Sequence, residues 1–292
     1  MKGILLDVRP EKNINTLNLS VSKLKTFEDC KAKFKFSYID KLPKKEWEFH
    51  SFGKFLHAVL EYFHIIFRDN PDQPLNLSMK EAYLKAKEVY EPKLSKEKVK
   101  EIWELCFNYL KIISDKRKNN ALSDFLAAEK EFNINIEDTI LLNGFIDKIQ
   151  LDSDKILHVA DYKTSKSDSY LKNDFFQLKT YAYVMFLTDP SLKKVRTSYI
   201  MARMNFKEIV KEFTLDDVKD VEDYYLEKAA LIRAEAGYKP KPSRLCDYCD
   251  YLESCPDGSK FLASVAPRQT KIVPVEKDNT LYYSSVTWFD TK

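Results

Sequence analysis

The chain has 292 residues, of which 44% are apolar and 32% charged, and its formal net charge is +3. This length and composition are typical of a soluble globular protein with a large core, which excludes a mostly disordered chain. No apolar run approaches the roughly 18 residues of a membrane span, and the first residues become charged too soon for a signal peptide. We therefore expect a cytoplasmic protein with no membrane partner.

The first two fifths of the sequence have the apolar spacing of α-helices. Residues 20–68 form one such stretch, which begins at Ser20 or Ser22 as candidate N-caps. A second stretch covers residues 79–125, with a break near Pro92. The sequence predicts an all-α region before residue 129.

A basic segment lies inside the first helical stretch. Between Lys23 and Lys45 there are eight lysines against three acids, interleaved with Phe34, Phe36 and Tyr38. Lysines mixed with aromatic residues are typical of a nucleic-acid-binding surface, and equally of a solvated helix face over an aromatic core. Both interpretations stay open on this pattern alone.

From Glu129 onwards, the pattern changes to β-strands that alternate with helices. A polar DSDK turn at 152–155 separates the first two strand segments, so we expect an antiparallel hairpin there. The mixture predicts a mixed sheet flanked by helices. In chain order the segments are strands over 129–151 and 156–164, a helix over 174–187, strands over 195–203 and 207–215, a helix over 216–236, and a tail with weak alternation after Pro267.

Acidic residues lie on the apolar strands of this hairpin. Asp147 shares a face of the first strand with Phe145 and Ile149, and Asp161 and Lys163 share a face of the second. Burying such charges is costly unless they pair with each other or bind a cation. Two carboxylates suit Mg²⁺ or Mn²⁺, and a structural Asp–Lys salt bridge is the alternative.

Further polar residues surround this hairpin in the sequence. His57 lies on a polar helix stripe with Glu61 and His64, and Gln177 and Tyr181 are four residues apart on a later helix. Each feature alone is common in structural helices. Their order along the chain is more specific: a helical His, then Glu129, then G-F-I-D, D-Y-K and Q-x-x-x-Y.

Four cysteines lie in two widely separated parts of the sequence. Cys30 is near the start, whereas Cys246, Cys249 and Cys255 lie together in CDYCDYLESCP. In a cytoplasmic chain, such thiols indicate a metal centre or buried thiols rather than disulfides, and four thiolates suit either Zn²⁺ or a [4Fe–4S] cluster. Cys106, in an apolar helical stretch, is expected to be a core residue.

With these motifs, the sequence resembles the RecB-like branch of the PD-(D/E)XK nuclease superfamily. In particular, it is similar to the iron–sulfur nucleases of AddB-type helicase–nuclease subunits and of CRISPR adaptation. The resemblance runs from Ser20 to Cys255 and implies an α/β, restriction-endonuclease-like fold, with an N-terminal helical region and a C-terminal iron–sulfur staple. The resulting division is a single unit over 1–292, with a helical region over 20–128, a catalytic core over 129–240, a cysteine segment over 241–265 and a tail over 266–292.

The resemblance also implies roles for individual residues. It would make Asp147, Asp161, Lys163 and Glu129 the catalytic residues, with Glu131 a near alternative for Glu129. It assigns a Mg²⁺ or Mn²⁺ site and a [4Fe–4S] cluster, and it implies that the lysines of the basic segment flank the DNA. The metal ligands would be His57, Asp147, Asp161 and the backbone carbonyl of Tyr162, the cluster ligands Cys30, Cys246, Cys249 and Cys255, and the DNA-contacting or supporting residues Gln177, Tyr181, Lys31, Lys33 and Lys35.

The implied activity is hydrolysis of phosphodiester bonds in DNA, as an exonuclease or end-processing enzyme in replication, recombination or repair. The sequence has no G-x-x-x-x-G-K-[ST] phosphate loop, so any helicase motor would be a separate partner. Two other classes remain open: a non-catalytic DNA-binding or assembly subunit on the same scaffold, and an iron–sulfur electron carrier. The second leaves the acidic hairpin unexplained.

Overall fold

Six strands form one mixed β-sheet in the protein, for which a computed structural model describes residues 16–171 and 174–265. The sheet order is β1-β3-β4-β5-β6, and β2 pairs with β3 outside this path. Parallel pairing joins β1 to β3 and β4 to β5, whereas the other pairs are antiparallel. The strands are β1 (Leu17–Leu19), β2 (Asp124–Ile136), β3 (Ile140–Leu151), β4 (Leu157–Lys163), β5 (Val195–Met201) and β6 (Lys207–Phe213).

Strand β3 has three partners, and the way they share it creates a gap. One edge of β3 pairs with β2 along nearly its whole length. The other edge pairs with β1 at residues 140–142 and with β4 at residues 148–151. In the described part of the chain, residues 143–147 have no strand partner on that second edge. Asp147 lies in this gap, beside the point where β4 diverges from β3.

Helices cover both faces of the sheet. One apolar cluster joins α3, α4 and α5 to Ala160, Tyr162 and Ile200 of the sheet. The other joins α1, α6 and α8 to sheet residues that include Val159 and Tyr199. Because alternate residues of β4 enter opposite clusters, the whole of 157–162 is buried. The α-helices are α1 (Val21–Asp29), α2 (Lys31–Phe34), α3 (Glu48–Asp69), α4 (Leu75–Tyr90), α5 (Lys96–Lys118), α6 (Phe176–Thr188), α7 (Leu215–Val218), α8 (Val221–Ala234) and α9 (Pro256–Ser264).

The structure confirms the mixed sheet flanked by helices and the hairpin of β3 and β4. The Ser20 hydroxyl accepts a hydrogen bond from the backbone N–H of Lys23 at 3.2 Å, so Ser20 is the N-cap of α1. The break near Pro92 is also present, since α4 ends at Tyr90 and α5 begins at Lys96. Cys106 is buried, as expected.

Several predicted boundaries differ from the structure. The expected helical stretch 20–68 is interrupted before Glu48, and the expected helix 216–236 is split into α7 and α8. Strand β2 begins at Asp124 rather than near 129, because pairing with β3 overrides the helix-forming Leu, Ala and Glu residues there. The predicted alternation in the tail, 266–292, lies outside the described residues. None of the described helices is long and apolar enough to cross a membrane.

Candidate functional site

Asp147 is held in the β3 gap by a backbone donor from the neighbouring strand. The N–H of Tyr162 donates a 2.6 Å hydrogen bond to Oδ2 of Asp147. This side-chain contact replaces the ladder bond that would form if β4 continued to pair with β3 at this position. The divergence of the two strands therefore provides both the space and the donor that position the carboxylate.

Asp161 lies on β4 and is only 4% exposed. Its Oδ1 accepts hydrogen bonds from Gln177 Nε2 at 2.7 Å and from the Tyr181 hydroxyl at 3.3 Å. Its Oδ2 lies 2.7 Å from Lys163 Nζ, yet it accepts no hydrogen bond of good geometry and is buried. A buried carboxylate oxygen that is not fully satisfied is suited to a further positive ligand.

His57 on α3 faces the carboxylates of Asp147 and Glu129. Its Nδ1 is 3.4 Å from Asp147 Oδ2 and 3.8 Å from Glu129 Oε1. One ligand atom each from His57, Glu129 and Asp147 lie within 4.8 Å of one another. Nitrogen and carboxylate oxygen atoms this close could share one cation. The structure therefore brings together the predicted helical histidine and the acids of both β2 and β3.

Glu129 has an unusual backbone conformation. Its φ angle is +44°, in the left-handed region, which costs a residue with a β-carbon about 1–3 kcal/mol. It lies opposite Asp147, between the pairs that join residues 128 and 130 of β2 to β3. The alternative acid, Glu131, is exposed and pairs with Phe145 further along the strand. Glu129 is therefore the acid of β2 that reaches His57.

Opposing charges control the titration of this cluster. Burial lowers the pKa of His57, but the carboxylates around it, Asp147 above all, outweigh burial and raise it to about 10. Burial raises the pKa of Asp147, and the nearby charge of Asp161 adds to the increase. Burial lowers the pKa of Lys163, but Asp161 outweighs it and the net shift is upward. Asp147, Asp161 and Glu129 thus form a centre of negative potential around His57.

Gln177 and Tyr181 support Asp161 from α6. The Gln177 amide donates to Asp161 and to the Tyr181 hydroxyl, each at 2.7 Å, and its oxygen accepts from Lys163 Nζ at 2.9 Å. The Tyr181 hydroxyl also donates to the carbonyl of Phe145 at 3.0 Å. Tyr181 is 4% exposed, so of the two expected roles its geometry fits support rather than contact with DNA.

A buried network behind Tyr162 was not predicted. His64 Nε2 lies 2.7 Å from the Tyr109 hydroxyl and 3.3 Å from that of Tyr162, and the two hydroxyls are 3.1 Å apart. Burial holds the pKa of His64 well below its usual value, so the ring is neutral at physiological pH. The network fixes the side chain of the residue whose N–H binds Asp147. Its members come from three elements, and no spacing in the sequence connects them.

The four predicted cluster cysteines line one cavity of about 70 Å³. No three of their sulfur atoms lie within 4.8 Å of one another among the described residues. Backbone N–H groups donate to three of the four sulfurs. These contacts are Lys241 to Cys30 at 3.5 Å, Ser243 to Cys246 at 3.4 Å and Gly258 to Cys255 at 3.4 Å.

A glycine keeps this cavity open. A β-carbon on Gly258 would lie 3.4 Å from Cys255 Sγ and 3.5 Å from Cys246 Sγ, and therefore would fill part of the space. The cavity is also lined by Lys33 of the basic segment. The N-terminal and C-terminal cysteine segments thus meet in space, as the resemblance implied.

Four other lysines of the basic segment have acidic partners. Lys31 pairs with Glu235, and Lys35 pairs with Asp40 at 2.6 Å. The aromatic residues between them pack inward: Phe34 is buried against Phe27, and Phe36 contacts Tyr251. Most of the basic segment therefore fits the solvated helix face over an aromatic core.

Comparison with known proteins places the chain in a family. The model of the PD-(D/E)XK nuclease superfamily matches residues 18–256. A candidate exonuclease from Eubacterium rectale is similar in structure at 13% identity, with a TM-score of 0.49, over 88% of this chain and 92% of that one. The protein named SSO0001 is similar at 17% identity, with a TM-score of 0.38, over 85% of this chain and 89% of that one. No curated protein matches. Because the family model covers most of its length, the chain belongs to the PD-(D/E)XK nuclease superfamily.

Proposed function

We propose that this protein is a metal-dependent DNA nuclease that hydrolyses phosphodiester bonds at DNA ends, with Asp147, Asp161 and Lys163 as its catalytic residues. The observation that carries the proposal is the contact of the buried Asp161 with Lys163 at 2.7 Å, beside the cluster of His57, Glu129 and Asp147. Membership of a nuclease superfamily supports the reaction class.

The site fits a divalent cation on two grounds. Ligand atoms of His57, Glu129 and Asp147 converge within 4.8 Å. In addition, Asp161 Oδ2 is buried without a well-formed hydrogen bond. Carboxylate oxygens are the ligands that Mg²⁺ and Mn²⁺ prefer. The proposed ligands are His57, Asp147, Asp161 and the backbone carbonyl of Tyr162, with Glu129 as an acidic neighbour. When bound, such a cation supplies positive charge against the phosphate and favours ionisation of water.

The protein's own groups have separate tasks in this proposal. Lys163 holds a proton at its raised pKa, so its ammonium orients the attacking water and stabilises negative charge on the phosphate. Gln177 fixes both Lys163 and Asp161 through its amide, which keeps their relative position. His57 reaches the acids from the opposite layer, so that α3 closes the site against the sheet.

We further propose a [4Fe–4S] cluster in the cysteine cavity. Its support is the convergence of four cysteines on one cavity, the N–H donors to three sulfurs and the space kept by Gly258. A tetrahedral zinc ion, with Zn–S bonds of about 2.3 Å, would hold its sulfurs about 3.8 Å apart. The resemblance of the sequence to iron–sulfur nucleases is what favours the larger cluster over zinc.

The proposed role of this cluster is structural. The segment of 246–255 packs on residues just before α3: Trp47 Nε1 donates to Asp250 at 2.7 Å, and Lys45 pairs with Glu253 at 2.6 Å. Helix α3 carries His57. A cluster bound to Cys30 would therefore fix the N-terminal helices, the cysteine segment and the start of the catalytic helix together.

The proposed activity is tested with end-labelled linear DNA, single-stranded and double-stranded, and with circular single-stranded DNA. We expect cleavage of the linear substrates with Mn²⁺ or Mg²⁺, none with EDTA, and little on the circle. Cleavage of the circle at the same rate would agree with nuclease activity but would reject its dependence on DNA ends. No cleavage of any substrate by protein with full metal would reject catalysis and favour the non-catalytic DNA-binding subunit.

A further inference from the structure

Arg203 contacts the main chain directly after the proposed catalytic lysine. It lies in a 3₁₀ turn, Ala202–Met204, at the end of β5. Its Nη1 donates a 3.0 Å hydrogen bond to the carbonyl of Thr164, which follows Lys163. The Arg203 side chain is only 12% exposed, so water competes little with this contact. Neither the motifs nor the family pattern singled out this residue.

Two helices hold the guanidinium group in place. Glu101 of α5 forms an ion pair with Arg203: its Oε2 accepts a 3.2 Å hydrogen bond from Nη2, and its Oε1 lies 2.7 Å from Nε without hydrogen-bond geometry. The Cζ atom of Arg203 lies 3.9 Å from the ring centroid of Phe52 on α3, a stacked cation–π contact. Glu101 and Phe52 thus hold the guanidinium group in the position from which it donates to the Thr164 carbonyl.

Helix α3 also contacts Thr164. A β-carbon on Gly53 would lie 3.4 Å from Thr164 Oγ1, so the helix backbone rests closely against this side chain. His57 follows Gly53 by four residues, about one helical turn. The contacts around Thr164 therefore set the position of Lys163 relative to the helix that carries His57.

We propose that Arg203 is a positioning residue that fixes Thr164 and, through it, keeps the Lys163 ammonium beside Asp161. This inference rests on the proposed nuclease activity. Lysine ammonium and aspartate carboxylate must keep their relative position while the water attacks, and displacements of about 1 Å can lower rates by about 100-fold. Glu101 and Phe52 act by holding Arg203 in place.

The same strand provides a matched control. Arg196 lies at the other end of β5 and pairs with Asp152, Asp154 and Glu212. Its removal also deletes an arginine with several acidic partners, but at the strand end remote from Lys163. Arg203→Ala and Arg196→Ala therefore both remove an ion-pair network, and only the first removes the contact with Thr164.

We expect Arg203→Ala to lower kcat about 10- to 100-fold with KM changed less than about 3-fold, because groups that act only on the transition state affect kcat. Arg203→Lys keeps the charge but loses the planar guanidinium that contacts Glu101 and Thr164 together, so its kcat should lie between those of the wild type and Arg203→Ala. Methylguanidinium at low millimolar concentration should restore part of the activity of Arg203→Ala. Arg196→Ala should keep kcat, assayed well below its melting temperature. A fall in kcat no larger for Arg203→Ala than for Arg196→Ala would overturn the proposal.

A second measurement does not depend on activity. Hydrogen–deuterium exchange should become faster in peptides that cover 161–167 in Arg203→Ala, and should stay unchanged there in Arg196→Ala. If Arg203→Ala does not fold, Glu101→Gln, which removes one charge of the pair, replaces it in both experiments. Unchanged exchange would reject the positioning role even if the wild type cleaves DNA. Absence of cleavage by the wild type, with faster exchange in the variant, would reject only the proposed function.

Discussion

The backbone N–H of Tyr162 donates a 2.6 Å hydrogen bond to Oδ2 of Asp147, at the place where β4 diverges from β3. Asp147 thus has a fixed position before any cation binds. Because the buried network of His64 and Tyr109 holds the Tyr162 side chain, the donor itself is rigid. A preorganised carboxylate loses little entropy when it binds a ligand.

Asp147→Asn tests this arrangement. The amide keeps an oxygen that accepts from Tyr162, but it loses the charge that binds a cation. We expect the fold to persist, Mn²⁺ binding to weaken, and cleavage to fall by more than about 100-fold, the size of effect seen when one electrostatic group is removed. Calorimetric titration with Mn²⁺ measures the binding. Asp124→Asn, an exposed partner of Lys155, is the control and should change neither quantity.

Gly144 tests the packing beneath the site. A β-carbon there would lie 2.7 Å from Cζ and 2.8 Å from Cε1 of the buried Phe132 ring, which in turn packs edge-on against Tyr181. We expect Gly144→Ala to lower the free energy of unfolding by about 1–3 kcal/mol through overpacking. Gly237→Ala, where the nearest atom is 3.7 Å away, should stay within about 0.5 kcal/mol of the wild type. Urea denaturation measures both, and equal stability of the two variants would contradict the packing.

Lys148 should make stability depend on pH. Burial first, and then the charge of Lys116, lowers its pKa from 10.5 to about 8. Below pH 8 the lysine is charged in both the folded and unfolded states, so the fold carries the full cost, about 3 kcal/mol. Between pH 8 and 10.5 the unfolded chain binds more protons, so the stability of the wild type rises with pH.

Lys148→Met removes this titration. We expect the variant to be more stable than the wild type at pH 7, and the difference to shrink as the pH rises above 8. Denaturation curves at pH 7 and pH 9.5 measure the two differences. A constant difference at both values would show that Lys148 keeps an ordinary pKa in the fold.

Cys30→Ser tests the proposed cluster. The variant should lose iron and labile sulfide, and its free energy of unfolding should fall by about 2–5 kcal/mol, the range for loss of a covalent cross-link between distant segments. Cys106→Ser is the control for iron content, because Cys106 lies apart from the cavity in the core between α3 and α5. Colourless wild-type protein that contains zinc would contradict the cluster.

The sequence predicts the parts of the fold that depend on local pattern. The hairpin of β3 and β4 follows from the DSDK turn between two apolar runs. The proximity of Asp161 and Lys163 follows from their places two residues apart on one face of β4. The cysteine convergence followed from the resemblance to a family. In the first two cases a short stretch of sequence carries the signal, whereas Cys30 lies far in the sequence from the other three cysteines.

Other features depend on contacts between distant segments. The short strand β1 pairs with only three residues of β3, and the gap it leaves at 143–147 arises from the pairing of three strands. The left-handed conformation of Glu129 and the contact of Arg203 with Thr164 depend on tertiary packing in the same way. Local propensity contains no information about such contacts.

The proposed function assigns the metal-dependent cleavage of DNA to Asp161 and Lys163. The most direct measurement compares wild type, Asp161→Ala and Lys163→Ala on one end-labelled DNA with Mn²⁺, following cleavage and binding in the same samples. We predict that both variants still bind the DNA but that cleavage is abolished, while the surface variant Lys194→Ala behaves as the wild type. Cleavage at the wild-type rate by either Asp161→Ala or Lys163→Ala would show that the mutated residue is not catalytic.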